Sequence, residues 1–270
     1  MSISKMKEYI AQLPVGSPED VGGGPFSSGP FGLAADEGGD AAIKSVDVDK
    51  LPDGIVTGSN LIQFAPQTSD AIRSSVALSL LAAQRVATKA AGVQSPKQWF
   101  DRHNQVLSDL NWFGDAGGVV NSTFDSTNVA VHKAIIPFLT AAFGGAVTAG
   151  ALILTALNQL KEIDQNSAWI TLFDRQSRHF NVTEYQFSVA ELVGDQVHLR
   201  IASARFDATY GQTQVLFFKV KKEKATFESA SGSFATEVKL LTDLNGDLKM
   251  KLAGFTKTFI KSLPDDLGDN

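Results

Sequence analysis

The chain has 270 residues and a formal net charge of −5, and 43% of its residues are hydrophobic against 20% charged. This is the composition of a globular protein that can bury a sizeable core. The acidic balance argues against a general nucleic-acid binder, because such proteins carry a basic surplus that neutralises phosphate. The chain contains no cysteine, which excludes disulfides, thiolate nucleophiles and cysteine-ligated zinc or iron–sulfur sites.

The N-terminal residues predict a short amphipathic helix followed by a flexible arm. Apolar residues recur there at helical spacing, at Ile3, Met6, Ile10 and Leu13. A helix of about three turns is marginal alone, so we expect it to dock on the protein's own body, with a membrane-surface or partner role as the alternative. Residues 14–40 are rich in glycine and proline, which is typical of a flexible, protease-sensitive arm. We therefore predict a helix and arm over 1–40 and a folded domain over 41–270.

A strand and a helical hairpin open the predicted domain. Residues 55–64 predict a first strand, and Thr68-Ser69-Asp70 supplies an N-cap for the helix that follows. The apolar stripe of that helix comprises Ile72, Val76, Leu80, Ala83 and Ala87. Gly92 ends it, and Pro96 begins a second helix at a position where its missing N–H costs nothing. One face of the second helix carries Trp99, His103, Val106 and Leu110. A short second strand is predicted at 117–123.

The most apolar segment of the chain follows. Residues 134–157 include no charged side chain, and as one straight helix of about 36 Å they would cross a bilayer. Pro137 and the pair Gly144-Gly145 favour a break into two helices, 128–143 and 146–163. Each is too short to span a hydrocarbon core of about 30 Å comfortably. We therefore expect a second, deeply buried helical hairpin, with entry into a membrane as the alternative.

After Asp164 the hydrophobic pattern changes from helical to alternating, with a period of about 2 residues. Strands are predicted at 168–173, 185–193, 197–206, 213–220 and 227–234. Gly194-Asp195 is a predicted turn, and connections this short require antiparallel pairing. Two helical hairpins followed by an antiparallel sheet indicate the α+β fold class.

The sequence lacks the familiar short motifs of enzymatic chemistry. The sequence contains no G-x-S-x-G elbow, P-loop, dinucleotide fingerprint or H-E-x-x-H motif. The histidines are scattered along the chain, at His103, His132, His179 and His198. Asp243, Asn245 and Asp247 alternate as in a calcium loop, but loop position 12 is Gly254, so a turn or bend is the favoured alternative. We expect no enzyme activity, no metal and no cofactor.

One basic cluster adjoins the most apolar predicted strand. It consists of Lys219, Lys221, Lys222 and Lys224. Lysines at a strand end commonly protect a sheet edge from pairing with another chain. The alternative is contact with anionic lipid headgroups, where each lysine contributes about 1 kcal/mol. Such a contribution would orient the protein on a membrane without holding it there.

Three segments in the second half of the chain carry a resemblance to a known family. Ser167-Ala168-Trp169-Ile170, Tyr185-Gln186-Phe187 and Gln214-Val215-Leu216-Phe217-Phe218 resemble, in order and spacing, segments of the insecticidal Cyt δ-endotoxins. The same fold is shared by the fungal volvatoxin and the Erwinia virulence factor. The resemblance covers about residues 50–235, is specific in the segment 214–218 and is architectural elsewhere.

The resemblance implies a single α+β domain of the Cyt-like (cytolysin) type, an antiparallel β-sheet wrapped by two α-helical hairpins. It also implies a pore-forming or membrane-permeabilising toxin or virulence factor, which binds membrane phospholipids directly and forms a homo-oligomer on them. The first ten residues lack the continuous apolar stretch of a secretory signal. We therefore expect a soluble protein that is made in the bacterial cytoplasm without a signal peptide and is then released or delivered to target-cell membranes. The alternative is a lipid- or fatty-acid-binding virulence protein that makes no pore. The cysteine that carries an acyl chain in the Erwinia virulence factor has no counterpart in this chain.

The candidate membrane contacts follow from strands that are long enough to cross lipid when tilted. The lipid-contacting candidates are Tyr185, Phe187, Val189, Val197, Leu199, Ile201, Val215, Leu216, Phe217 and Phe218. The headgroup-contacting candidates are the lysines of the basic cluster. Open sheet edges cannot remain in hydrocarbon, so insertion would require oligomers. An ordinary intracellular binding module is a third, weaker hypothesis.

Overall fold

The computed structural model describes residues 1–16, 47–91, 96–117, 120–124, 131–143, 178–179, 182–207 and 225–262. The helices in these ranges are α1 (Ile3–Gln12), α2 (Asp70–Ala91), α3 (Pro96–Asp109), α4 (Val131–Phe143), α5 (Val238–Asp243) and α6 (Asn245–Phe259). The strands are β1 (Gly54–Thr57), β2 (Asn60–Phe64), β3 (Phe113–Ala116), β4 (Val120–Phe124), β5 (Arg178–His179), β6 (Val182–Val193), β7 (Gln196–Asp207), β8 (Ala225–Glu237) and β9 (Ile260–Ser262). The predicted α+β class is confirmed.

The described strands form one sheet in the order β3-β8-β7-β6-β2-β1-β9, with β4 also paired to β8 and β5 to β6. Strands β6, β7 and β8 are the longest, at 12, 12 and 13 residues. They pair antiparallel, and β6 turns into β7 at Gly194, where φ is +64° as predicted for a turn. The pair β2–β6 is parallel, unlike the antiparallel pairing that we expected. The chain between these two strands contains whole helices, so it is long enough for a crossover.

The predicted first strand, 55–64, is wrong as a single element. It is a hairpin of β1 and β2 that turns at Gly58, where φ is +59°. Buried apolar residues lie on both sides of the turn, so hydrophobicity alone does not mark it. The predicted strand 117–123 is likewise replaced by β3 and β4, both of which pair with β8.

Replacing Gly58 by alanine is expected to destabilise the protein more than replacing Gly194 by alanine. Both substitutions force a side chain into positive φ, at a cost of about 1–2 kcal/mol. A Cβ at Gly58 would in addition displace the end of the buried Gln84 side chain and so strain its 3.0 Å hydrogen bond to Gln186, whereas nothing lies within 4 Å of a Cβ at Gly194. Urea unfolding followed by circular dichroism measures the difference. Equal midpoints for the two variants would contradict the packing of Gln84 against this turn.

Helices α2 and α3 form the first predicted hairpin, which is confirmed. The α2 residues Val76, Leu80, Ala83 and Ala87 are all 0% exposed, and Ile72 is 3% exposed. On α3 the buried face is the predicted one, with Trp99, His103 and Val106, and Leu110 directly after the helix is buried with them. Helix α3 begins at Pro96, where the missing N–H leaves no helical hydrogen bond unmade.

Helix α1 docks on the body of the protein, as expected. Met6 and Ile10 are each 1% exposed and belong to the same buried cluster as residues of α2, β7 and α6. Lys7 pairs with Asp247 at 3.1 Å, and Lys251 Nζ donates to the carbonyl oxygen of Ala11 at 2.7 Å. A helix that is marginal alone is thus stabilised by tertiary packing. Residues 17–46, most of the predicted arm, lie outside the described residues.

The second predicted hairpin is described only in its first half. Helix α4 contains Pro137, and it buries Leu139 and Phe143. The predicted helix 146–163 and the predicted strands 168–173 and 213–220 lie outside the described residues. None of the helices in the described ranges has the length and apolarity that crossing a membrane requires.

The candidate calcium segment is a bend between two helices. Helix α5 ends at Asp243 and α6 begins at Asn245. The side-chain Nδ2 of Asn245 donates to Ser74 Oγ at 3.0 Å and to Ser75 Oγ at 2.9 Å. The Asn245 side chain therefore joins α6 to α2. In the part of the chain that the structure describes, no group of three His, Cys, Asp or Glu side chains is placed to hold a metal.

Candidate functional site

The apolar candidates on β6 and β7 lie on opposite faces of the sheet. In the antiparallel register, residues directly across from each other point to the same side. One face, which we call the α2 face because α2 packs on it, carries Val197, Leu199 and Ile201. The opposite face carries Tyr185, Phe187 and Val189. All six side chains are at most 5% exposed, so none is displayed to solvent in this form of the protein.

The alternation of polar and apolar side chains reverses along the β6–β7 hairpin. Near the turn at Gly194, the α2 face is apolar and the opposite face carries the half-buried His198 and Arg200. Farther from the turn, the α2 face carries Gln186, Ser188 and Ser203, and the opposite face is apolar. The structure therefore does not bring the six candidates together on one lipid-facing surface.

The remaining sequence candidates stay predictions. The segment 215–218 and the basic cluster Lys219, Lys221, Lys222 and Lys224 lie outside the described residues.

A row of buried polar side chains lies where α2 and β2 meet the half of the hairpin far from the turn. Gln84 Nε2 donates to Gln186 Oε1 at 3.0 Å, and Gln186 Nε2 donates to Ser203 Oγ at 3.4 Å. Beside them, Asn60 Nδ2 donates to Ser188 Oγ at 2.8 Å. Each of these residues is at most 5% exposed. We call the five residues Asn60, Gln84, Gln186, Ser188 and Ser203 the polar seam.

The polar character continues along α2. Ser75 Oγ donates to the carbonyl oxygen of Ala71 at 2.7 Å, and Ser79 Oγ donates to that of Ser75 at 2.8 Å. Such bonds satisfy a hydroxyl within its own helix. Sequence reasoning missed the seam, because serine and glutamine residues in a helix are ordinarily assigned to its solvent-exposed face. The sequence did contain a sign of buried polar residues in α2, namely serine and glutamine at several positions of a helix that is otherwise rich in alanine and leucine.

Helix α3 buries a histidine that is neutral at pH 7. The ring of His103 is 1% exposed and stacks on Trp99, with 5.1 Å between ring centroids and 19° between planes. Burial lowers the pKa of His103 to about 4, and its contact with Asn104 opposes the shift only in part. Its Nε2 has no hydrogen-bond partner within the described ranges. The protonated ring therefore has only the Asn104 side chain at Nδ1 to stabilise it, and no acceptor at Nε2 in these ranges.

A groove opens on the protein surface between α3 and the strands β3 and β8. It has a volume of about 450 Å³. Helix α3 contributes Asp101, Asn104, Gln105 and Ser108, and the other lining residues include Trp112, Phe113 and Phe234. Sequence reasoning missed this groove, because the polar face of a helix does not indicate which strands pack next to that helix.

Comparison with known proteins identifies structural neighbours only. No protein-family model and no curated protein matches the chain. A δ-endotoxin structure is 13% identical, covers 72% of this chain and 86% of its own, and has a TM-score of 0.38. Activated Cyt2Ba from Bacillus thuringiensis subsp. israelensis is 15% identical, with 67% and 98% covered and a TM-score of 0.35. The Evf virulence factor is 17% identical, with 86% and 91% covered and a TM-score of 0.30. The structural neighbours thus come from the group that the sequence resembles, the Cyt δ-endotoxins and a virulence factor.

Proposed function

We propose that the protein is a membrane-active toxin or virulence factor, which binds lipid directly through its β6–β7 hairpin once the covering helices have separated from it. The observation that carries this proposal is the polar seam together with the apolar face behind it. In the half of the hairpin far from the turn, one face holds amides and hydroxyls, and the other holds Tyr185, Phe187 and Val189. A hairpin with one wetted face and one lipid-facing face has the pattern of a membrane-embedded strand pair.

The seam lowers the cost of separating α2 from the sheet. Among the seam's hydrogen bonds, the one from Gln84 to Gln186 joins α2 to the sheet, whereas the bonds to Ser188 and Ser203 lie within the sheet. The two amides recover hydrogen bonds to water when they are exposed, so this bond opposes separation by only about 0.5–1.5 kcal/mol. Large apolar side chains in the same places would each oppose it by about 1.5–3 kcal/mol. The near-turn half of the α2 face, with Val197 and Leu199, is apolar and remains the stronger attachment.

The amphipathic part of the hairpin is too short for its strands to cross a membrane, which restricts the proposal to lipid contact and permeabilisation. It covers 185–189 and 202–204, fewer residues than the about 9–11 that a crossing strand needs. The proposal is therefore lipid contact and permeabilisation by a non-enzymatic protein whose partners are membrane phospholipids. Because open sheet edges are costly in hydrocarbon, deeper insertion would require a homo-oligomer.

Dye release from protein-free vesicles tests the proposal. Phosphatidylcholine vesicles with and without phosphatidylserine are loaded with carboxyfluorescein and mixed with intact protein or with protein cleaved by mild proteolysis within 17–46. We expect release, faster after cleavage and faster with the anionic lipid. No release from either vesicle with either form of the protein would contradict it.

A fatty-acid- or lipid-binding protein that makes no pore is the second candidate. It is favoured by the reversal of the apolar face along the hairpin, since binding a lipid between layers does not require one continuous apolar face. Native mass spectrometry of the purified protein separates the two candidates. A co-purifying lipid without dye release supports the second candidate, and dye release without a bound lipid supports the first.

A further inference from the structure

A histidine interrupts the apolar face with which α3 packs on the rest of the protein. On that face Val106 and Leu107 are 0% exposed, Trp99 is 5% exposed and His103 is 1% exposed. A leucine or phenylalanine would fill such a position without making the contact depend on pH. The helix therefore carries a proton-binding group where packing alone requires only an apolar one.

The imidazole is part of the contact between α3 and α2. His103 stacks on Trp99, and the indole Nε1 of Trp99 donates to Thr88 Oγ1 of α2 at 3.1 Å. We call His103, Trp99 and Thr88 the α2–α3 joint. The neutral ring donates from Nδ1 to Asn104 Oδ1 at 3.4 Å, so an added proton goes to Nε2. That atom is buried, and within the described ranges it has no hydrogen-bond partner.

Charged side chains near the joint point away from His103. The other described charged or titratable side chains of α2 and α3 are Asp70, Arg73, Arg85, Lys89, Asp101, Arg102 and Asp109, and Tyr9 of α1 lies beside Asp109. At about 100° per residue, the three on α3 lie about 100° or more around the helix from His103. On α2, Arg85 lies over the ring of Phe255, and Lys89 is exposed. Burial and the contact with Asn104 set the pKa of His103, without a contribution from any of these groups.

We propose that the α2–α3 joint is an acid-sensitive switch, in which the binding of a proton to His103 separates α3 from α2. The closed joint leaves the new N–H at Nε2 without an acceptor in the described ranges, whereas water solvates the charged ring once α3 has moved away. The open form binds a proton near the ordinary pKa of 6.5, and the closed form does so near a pKa of about 4. From about pH 7.5 to about pH 5 the ratio of open to closed molecules therefore rises about thirtyfold.

Thiol labelling measures this opening in the full chain, which has no cysteine of its own. Val106→Cys places a thiol on the buried face of α3, and Met250→Cys places one at a position that is 74% exposed. Each variant reacts with dithiodipyridine, which forms a mixed disulfide and releases thiopyridone. The exposed thiol reports the reactivity of the reagent at each pH. We expect the rate at position 106, divided by the rate at position 250, to rise about thirtyfold from about pH 7.5 to about pH 5.

Two further variants separate the switch from other effects of acid. When His103→Phe is added to Val106→Cys, the relative rate should rise less than about threefold, and His103→Leu is used if circular dichroism shows that the phenylalanine variant is unfolded. Val56→Cys, on β1 at a position that is 0% exposed, reports unfolding of the sheet. It should react at least about tenfold more slowly than Val106→Cys at about pH 5, because a local opening is more frequent than global unfolding.

Three results would overturn the switch. They are a relative rate that does not change with pH, an acid-induced rise that persists in the folded His103 variant, and equal labelling of Val56→Cys and Val106→Cys.

The consequence of the switch at a membrane rests on the proposed function, in which the covering helices separate from the sheet. Vesicle dye release should then be faster at about pH 5 than at about pH 7.5, and His103→Phe should remove most of the difference. Dye release at equal rates at the two pH values, from a protein whose joint opens in acid, would contradict this link. Because the labelling uses no vesicles, failure of the switch and failure of the proposed membrane activity are distinguishable.

Discussion

Replacing both glutamines of the polar seam by methionine, Gln84→Met with Gln186→Met, is expected to slow vesicle dye release about tenfold or more, while the protein stays folded with a urea midpoint near the original one. Methionine matches the length of glutamine, and removing both partners of the bond between α2 and the sheet leaves no orphaned amide in this pair. The buried hydroxyl of Ser203 loses its 3.4 Å contact with Gln186, a cost that the added apolar burial offsets. The two thioethers make the contact between α2 and the sheet apolar. Separation of α2 then exposes apolar surface to water and is opposed more strongly.

The single variant Gln84→Met is the matched control. It leaves the buried amide of Gln186 without its 3.0 Å partner on α2, at a cost of about 1–3 kcal/mol. We expect a lower urea midpoint and faster dye release, the opposite direction to the double variant. A folded and stable double variant that releases dye at the original rate would show that α2 does not separate from the seam. If the unmodified protein releases no dye, the urea midpoints still test the energetics of the seam.

Acidification from about pH 7.5 to about pH 5 is expected to cost the folded protein about 2 kcal/mol through His103 alone. The unfolded imidazole binds a proton near its ordinary pKa of 6.5, whereas burial holds the folded pKa at about 4. Between these two values the unfolded state binds more protons, so stability is complete above about pH 6.5 and is lost as the pH falls. Carboxylates titrate mainly below about pH 5, which leaves this window to histidine.

Urea midpoints measured between about pH 7.5 and about pH 5 check this prediction. His103→Phe keeps an aromatic ring beside Trp99 and should lose stability less steeply over the window. His103→Leu serves the same purpose if phenylalanine does not fit. His198→Gln, which removes a half-buried histidine on the sheet, should keep the steep dependence. An unchanged pH dependence in both His103 variants would contradict the burial of a neutral ring.

The elements of this fold that arise from local sequence are the ones that sequence reasoning located. The amphipathic stripe from Ile72 to Ala87, the helix start at Pro96 and the turn at Gly194 depend on side chains within a few residues of one another. The turn at Gly58 was missed because apolar residues flank it on both sides, and a positive φ leaves no trace in a hydrophobic pattern. Glycine is required there by the positive φ of +59°, and the buried Gln84 side chain, which lies far away in the chain, packs against the same position.

The candidate site was only partly foreseeable for the same reason. Alternation along β6 and β7 is visible in the sequence, and it correctly indicates strands with two unlike faces. The face to which Tyr185 or Leu199 points depends on the register with a partner strand and on where α2 packs. The seam pairs residues that are 102 and 128 positions apart in the chain, so it cannot be predicted from a local sequence pattern. By itself the sequence determined the class of fold, the helical hairpin and the absence of thiol chemistry, since these follow from composition and short-range spacing. Only the tertiary structure decided which buried side chains share a surface, because that depends on long-range pairing.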